Sequence, residues 1–259
     1  MKRESRSSHV SRETSKPTDT KGPPNPDAIG REARERVARW LEEVDLRPRA
    51  GFLDRIERLA ATLALWGAHT NLTSRPDDPG EIAFHVIDSL APIVFAPTEK
   101  RRQLEAVLHP QEGRGSVVLD IGSGAGFPGL VLAAASESRF ILVESRRKRS
   151  SFLEIAAREM RLENVVVEPR RLDPGSESGK AGLVTARAFG ATADLYSIAS
   201  AALRPQGLLL VYASEGQDID NHAALTAGFG GRTRWTYRVL HIDREILRVS
   251  AMWRKDASP

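Results

Sequence analysis

The chain has 259 residues, 41% hydrophobic and 28% charged, with 38 Lys and Arg against 34 Asp and Glu and no cysteine. That length supports one sizeable core with room for a small helical addition, and the missing cysteines exclude disulfides and thiolate-held metal. A formal charge of +4 is compatible with a nucleic-acid partner without requiring one.

No run approaches the ~18 consecutive apolar residues of a membrane span. The opening residues offer no apolar stretch suited to a signal-peptide core. A cytoplasmic protein without membrane association is therefore expected. Residues 1–30 are dominated by Ser, Thr, Pro, Lys and Arg, too few of them apolar to offset ordering entropy, and read as a disordered tail.

Residues 31–110 carry a helical period. Val37, Trp40, Leu41 and Val44 share one face; Phe52, Leu53, Ile56, Leu59, Ala60 and Leu63 form a second stripe. A third helix is predicted over 81–94, with Ile82, Val86, Leu90, Ile93 and Val94 inward. Between the second and third, Asn71, Leu72, Thr73 and Ser74 run into Pro76 and Pro79 and read as a loop. Trp40 and Trp66 fit the apolar stripes, so core packing is their expected role. The Arg-rich stretch 100–114 reads as a connection.

From residue 111 to the end the pattern changes. Short, continuously apolar runs at 116–121, 140–144, 165–167, 183–185 and 208–211 have the character of buried parallel strands. Helical stretches at 148–161 and 191–203 separate them, which implies right-handed crossovers and an α/β sheet with helices on both faces. Residues 235–239 and 246–253 read as a closing hairpin.

The most informative segment follows the first strand: Asp120, Gly122, Ser123, Gly124, Gly126, Phe127, Pro128 and Gly129. Glycines between a strand and a helix allow a tight turn and close approach of a nucleotide-like ligand. Glu144 ends the next strand, where an acid accepts ribose hydroxyl hydrogens. Gly124-x-Gly126-x-x-Gly129 also satisfies the dinucleotide fingerprint, so the loop alone leaves S-adenosylmethionine and NAD both open. Three features favour S-adenosyl-L-methionine. The Asp120 carboxylate suits the cationic amino-acid end of a sulfonium ligand, Pro128 falls in the first turn of a short helix, and no second catalytic domain follows the fifth strand.

The ordered set of these motifs resembles the small-subunit rRNA (guanine-N7) methyltransferases, also called glucose-inhibited division protein B. The likeness runs from Asn71 to Arg254 through Asn71-Leu72-Thr73, His85 with Asp88 and Ser89, the loop from Asp120 to Gly129, Lys148-Arg149 with Phe152-Leu153, Leu162-Glu163-Asn164 and Arg187-Ala188-Phe189. The resemblance implies a class I methyltransferase fold, a Rossmann-like, seven-stranded, mostly parallel sheet with a helical N-terminal cap. It implies that Gly122 and Phe127 contact S-adenosylmethionine, that Leu172 and Asp173 lie against its adenine, and that Arg187 stands at the cofactor site facing the substrate. Asn71, His85 and Asp88 would line the substrate side, and 16S rRNA or the small-subunit ribosomal particle would be the partner of a monomer. Two positions depart from the family pattern: Phe84 replaces an arginine before the motif histidine, and Glu215-Gly216 replaces a Lys-Gly pair.

Methylation of guanine N7 needs no general base, because N7 holds an unprotonated lone pair. The expected catalysis is orientation, up to ~7–11 kcal/mol, with Asp88 or Phe127 holding the charge that passes to the purine. No metal is expected. Arg146, Arg147, Lys148 and Arg149 sit at a predicted helix start, where cations oppose the macrodipole. An RNA phosphate would offset that cost, and Lys100, Arg101, Arg102, Arg170 and Arg171 are expected to complete a basic rim. The competing readings are an NAD-dependent oxidoreductase, a methyltransferase of another substrate, and an RNA-binding paralogue without turnover.

Overall fold

The apolar stripes become three helices, α1 (Pro26–Glu43), α2 (Phe52–Thr70) and α3 (Pro79–Phe95), in a computed structural model that describes residues 25–70, 72–111, 115–173, 179–187, 192–213, 229–239 and 244–254. The first helix starts earlier than its apolar pattern indicates. Asn25 caps it, Oδ1 accepting the Asp27 and Ala28 backbone N–H at 3.1 and 3.4 Å, and Pro26 suits the first turn. Residues 26–30, read as part of a disordered tail, are thus helical. Asp78 caps α3 in the same way, accepting from Gly80 and Glu81 at 2.8 and 3.1 Å.

The expected connection at 100–114 is in part a helix, α4 (Thr98–Leu108). Its buried stripe is Lys100, Leu104, Val107 and Leu108, so the stem of a lysine fills a place that a helical pattern normally gives to an apolar residue. The charge run concealed the period.

The sheet follows: β1 (Val117–Ile121), α5 (Gly129–Ala135), β2 (Arg139–Val143), α6 (Arg147–Glu159), β3 (Val165–Glu168), β4 (Ala181–Arg187), α7 (Thr192–Ala202), β5 (Leu203–Ala213), β6 (Phe229–Val239) and β7 (Arg244–Arg254). The described strands form one seven-stranded sheet in the order β3-β2-β1-β4-β5-β7-β6. β1 to β5 are parallel, and β7 enters antiparallel between β5 and β6. The order reverses between β1 and β4, which opens a crevice at their carboxyl ends.

Alternate residues of each strand serve opposite faces. Val118, Phe140, Leu142, Leu183 and Leu208 join a core shared with α1 through α6, while Leu119, Ile121, Val184 and Leu209 join a second core under α7. The N-terminal helices therefore have no core of their own. Trp66 of α2 meets Phe152 of α6 with ring centroids 6.3 Å apart, and Phe152 is wholly buried.

Phe152→Ala is expected to cost about 3–5 kcal/mol, the usual range for emptying a buried aromatic site. Urea titration followed by tryptophan fluorescence and by circular dichroism should give coincident transitions for the variant and the parent. Separate midpoints for the two probes would show that cap and sheet unfold independently.

Candidate active site

The glycine-rich loop leaves β1 at the point where the strand order reverses. Gly122 and Ser123 both donate their N–H to the Val143 carbonyl, at 2.9 and 3.2 Å, which hangs the loop on the end of β2. Gly122, Gly124 and Gly126 all have positive φ. A Cβ on Gly126 would lie 2.4 Å from Leu130, and one on Gly129 would lie 2.5 Å from both Asp120 Oδ2 and Leu142. Asp120 and Leu142 are both wholly buried, so the start of α5 comes this close to β1 and β2 because residue 129 is glycine.

Two carboxylates hold this loop from different sides. Asp120 is wholly buried beneath it. Its Oδ1 accepts the Thr185 hydroxyl at 2.6 Å, tying the end of β1 to β4, while Oδ2 faces the Gly129 backbone. Burial pushes Asp120 up to about 6, against the pull of its hydrogen bonds and of Arg187. The carboxylate expected to face a ligand's amino group therefore sits below the loop as a support. Ser123 turns inward as well, its hydroxyl donating to the Asp120 carbonyl at 3.0 Å.

Glu144 follows β2 directly and is buried, 5% exposed. Its Oε2 accepts the Gly124 N–H at 3.1 Å and its Oε1 accepts the Arg146 N–H at 2.8 Å. A carboxylate has about four acceptor positions, so each oxygen keeps capacity for a ligand hydroxyl. Among the described residues, a Cβ on Gly124 would meet only the Gly122 carbonyl and the Arg149 guanidinium within 4 Å. That side of the loop is a cradle which glycine leaves free, and with Glu144 beside it the residues fit a nucleoside's sugar edge. Leu172 packs into the core under α7, and Asp173 next to it is exposed.

The wall facing the loop is ionic. Arg187, at the end of β4, places Nη2 2.8 Å from His85 Nδ1 and 3.0 Å from Asp88 Oδ2. Guanidinium only donates, so Nδ1 of His85 is the acceptor and the neutral ring carries its proton on Nε2. Nε2 points at Glu81 Oε1, 3.4 Å away, and Glu81 also pairs with Arg75 at 3.2 Å. The His85 ring lies against Phe127 of the loop, centroids 5.0 Å apart. Asp88 is almost wholly buried and also accepts from Tyr237 of β6. Burial pushes its carboxyl up, while the Arg187 charge and the Tyr237 hydroxyl pull it back. Asp88, expected among the groups that face the substrate, is turned instead toward its two protein partners.

The structure brings Gly122, Ser123, Gly124, Gly126, Phe127, Glu144, His85, Asp88 and Arg187 to one crevice. Asn71 and the Glu215-Gly216 departure lie outside the described residues. Phe84 is buried against His85, centroids 5.6 Å apart, so its position serves packing rather than a charged surface. Arg146, Arg147 and Lys148 are exposed at the start of α6, which has no side-chain cap, and Arg149 is half-buried beside Gly124.

The expected rim is smaller than the sequence suggests. Arg170 is paired with Glu168 at 2.7 Å. Lys100 is buried and bound to Gln103 at 3.0 Å. Arg101 donates to the Val94 carbonyl, about 14 Å along α3 from His85 at 1.5 Å per residue. Thr185, Tyr237 and Glu81 were not singled out by sequence. Thr185 stands opposite Asp120 in the sheet register, and two polar residues inside apolar strands were a readable signal.

The fold matches that of a Galdieria sulphuraria protein assigned as a sarcosine dimethylglycine methyltransferase, with a TM-score of 0.50 at 12% identity over 69% of this chain and 88% of that one. With the glycine loop at the switch point and an acid following the second strand, the chain has the class I methyltransferase fold. Residues 53–228 match the family described as rRNA small subunit methyltransferase G. A curated relative of that name from Acidiphilium cryptum is 34% identical over 239 residues, 87% of this chain and 94% of its own length. Another, from Wolinella succinogenes, is 35% identical over 164 residues, 63% of this chain and 76% of its own. The chain belongs to the rRNA small subunit methyltransferase G family.

Asp120 provides a pH test of the loop's support. Its carboxyl ionises near 6 in the fold against 3.8 when unperturbed, so the fold favours the protonated form. The stability contributed by this group is complete below pH ~4 and is lost as pH rises through 6. About two pKa units correspond to about 3 kcal/mol. Asp120→Asn, which cannot ionise, should gain on the parent by roughly that amount in urea titrations between pH 4 and 7. A constant gap across that range would contradict the assignment.

Proposed function

We propose that this protein transfers a methyl group to N7 of a guanine in small-subunit ribosomal RNA, acting in the cytoplasm on 16S rRNA or the small-subunit particle. The observation that carries this reading is one carboxylate with two attachments. Glu144 holds Gly124 of the cofactor loop and the backbone of Arg146, where an exposed run of cations begins. A polyanion seated on those cations has its nucleotides beside the crevice.

When bound, S-adenosylmethionine would supply a sulfonium methyl: a bond would form from N7 to that carbon while the C–S bond breaks with its electron pair left on sulfur, the neutral thioether S-adenosylhomocysteine would leave, and the positive charge would pass to the purine. N7 carries no proton, so no residue of this chain has to remove one. Orientation is their task. Gly122 and Gly124 let the backbone approach the ligand, Glu144 accepts from the ribose hydroxyls, and Leu172 and Asp173 border the adenine. Phe127, backed by His85, offers an aromatic face to the cationic centre. Arg187 forms the wall on the substrate side, positioned by Asp88. Arg146, Arg147, Lys148 and Arg149 take the phosphates, which offsets the cost of placing cations at a helix N-terminus.

The direct test incubates the purified protein and S-adenosylmethionine with small subunits from a strain lacking the gene, alongside the deproteinised rRNA. Reductive cleavage at 7-methylguanosine should reveal one new site, and the more active substrate names the partner. Absence of new cleavage in both would refute the reading. Replacing Arg146, Arg147 and Lys148 by glutamine should lower the slope of log affinity against log salt by roughly 2, since each phosphate neutralised on a single strand adds ~0.7 to it. An unchanged slope would remove these residues from the RNA path.

A further inference from the structure

We propose that Tyr237, on the C-terminal hairpin, is a positioning residue for methyl transfer: through Asp88 it fixes the Arg187 guanidinium and the His85 ring that form the wall opposite the glycine loop. The inference rests on the reading above and extends it to a strand far from the glycine loop in sequence.

The geometry is a chain of single contacts. The Tyr237 hydroxyl bonds Asp88 Oδ1 and lies 3.3 Å from the Asp88 carbonyl. Asp88 Oδ2 faces Arg187 Nη2 at 3.0 Å, and the same nitrogen faces His85 Nδ1 at 2.8 Å. Arg187 Nη2 is therefore shared between a carboxylate and a ring nitrogen, and its place depends on how strongly the carboxylate draws it. With Tyr237 donating, one carboxylate oxygen is satisfied and the other holds the guanidinium midway. Without that hydroxyl, Asp88 is a buried anion short of a donor, and it claims Arg187 more completely. His85 then loses the bond that fixes its tautomer and its tilt against Phe127.

Tyr237 is suited to this task and to no reaction of its own. It is buried, 5% exposed, and its ring stacks on Phe95 with centroids 5.6 Å apart and planes 10° apart. Burial and the neighbouring Asp88 carboxylate push its phenol well above the usual range, so it remains a donor. A second tyrosine of the sheet, Tyr212, donates to the Ser89 carbonyl at 2.9 Å and fixes the next residue of α3. The hairpin and β5 thus hold the α3 backbone where it carries Asp88, while only Tyr237 reaches the carboxylate.

Tyr237→Phe keeps the ring and its stack and removes only the hydroxyl. The expected result is a fall in kcat of about tenfold or more, with KM for S-adenosylmethionine within about twofold of the parent. Ring 15N shifts of His85, distinct for a bare Nδ1 and a protonated Nε2 in the parent, should move toward each other as the tautomers mix. If Tyr237 acts through Asp88, adding Tyr237→Phe to Asp88→Asn should cause little further loss. An unchanged kcat, unchanged His85 signals, or independent losses in the double variant would each overturn the proposal. So would a fall in kcat matched by equally weakened cofactor binding, which marks a structural role. A parent protein that methylates no small-subunit rRNA overturns the function proposed above instead, and the His85 signature still decides the part played by Tyr237.

Discussion

A guanidinium largely withdrawn from water organises this molecule. Arg187 stands at the end of β4 with its side chain 19% exposed, and a cation so placed needs acceptors that are themselves held. Asp88 and His85 supply them from successive turns of α3, and each brings a further dependence: Asp88 on Tyr237, His85 on Glu81, Glu81 on Arg75. Glu81, His85 and Asp88 are spaced by four and three residues, so they share one helix face. Removing one member of such a buried set commonly costs about 3–5 kcal/mol, because the remaining charge is left without a partner. Arg187 brings the end of β4, and Tyr237 brings β6, to that face of α3.

The cofactor loop is governed by two buried carboxylates with different partners. Asp120 is sealed beneath it, where loss of hydration makes ionisation expensive and a threonine hydroxyl is its best partner. Glu144 is held by two backbone N–H groups of the loop and of the start of α6, and it keeps further acceptor capacity. The first fixes where the loop stands on the sheet. The second fixes the loop's outer edge and, through Arg146, the start of α6. Chemical similarity between the two side chains therefore says little about their work.

Much of this was legible in the residues. The strand runs, the alternation with helices, the glycine loop and the acid after β2 each follow from period or backbone freedom, which are local properties. The boundary at Asn25 was missed because the apolar stripe begins later than the cap, and α4 because the Lys100 stem stands in for an apolar side chain. The site was harder to read where it depended on distance in space. His85 and Asp88 were visible as a pair on one helix face, yet nothing local indicated that Arg187 and Tyr237 would enclose them. Asp120 was read as facing the ligand because sequence gives the position of a side chain along a strand and not its depth. Its partner in register, Thr185, carried that information.

The cap and the sheet are built around common apolar contacts, from Ile29 and Trp40 to Leu142 and Leu208. Such packing does not permit the N-terminal helices to swing as a hinged cover without opening the interior. The wall that includes His85 is therefore in place before any nucleic acid arrives, braced against Phe127. Adjustment on binding then falls to whatever enters the crevice rather than to the helices around it.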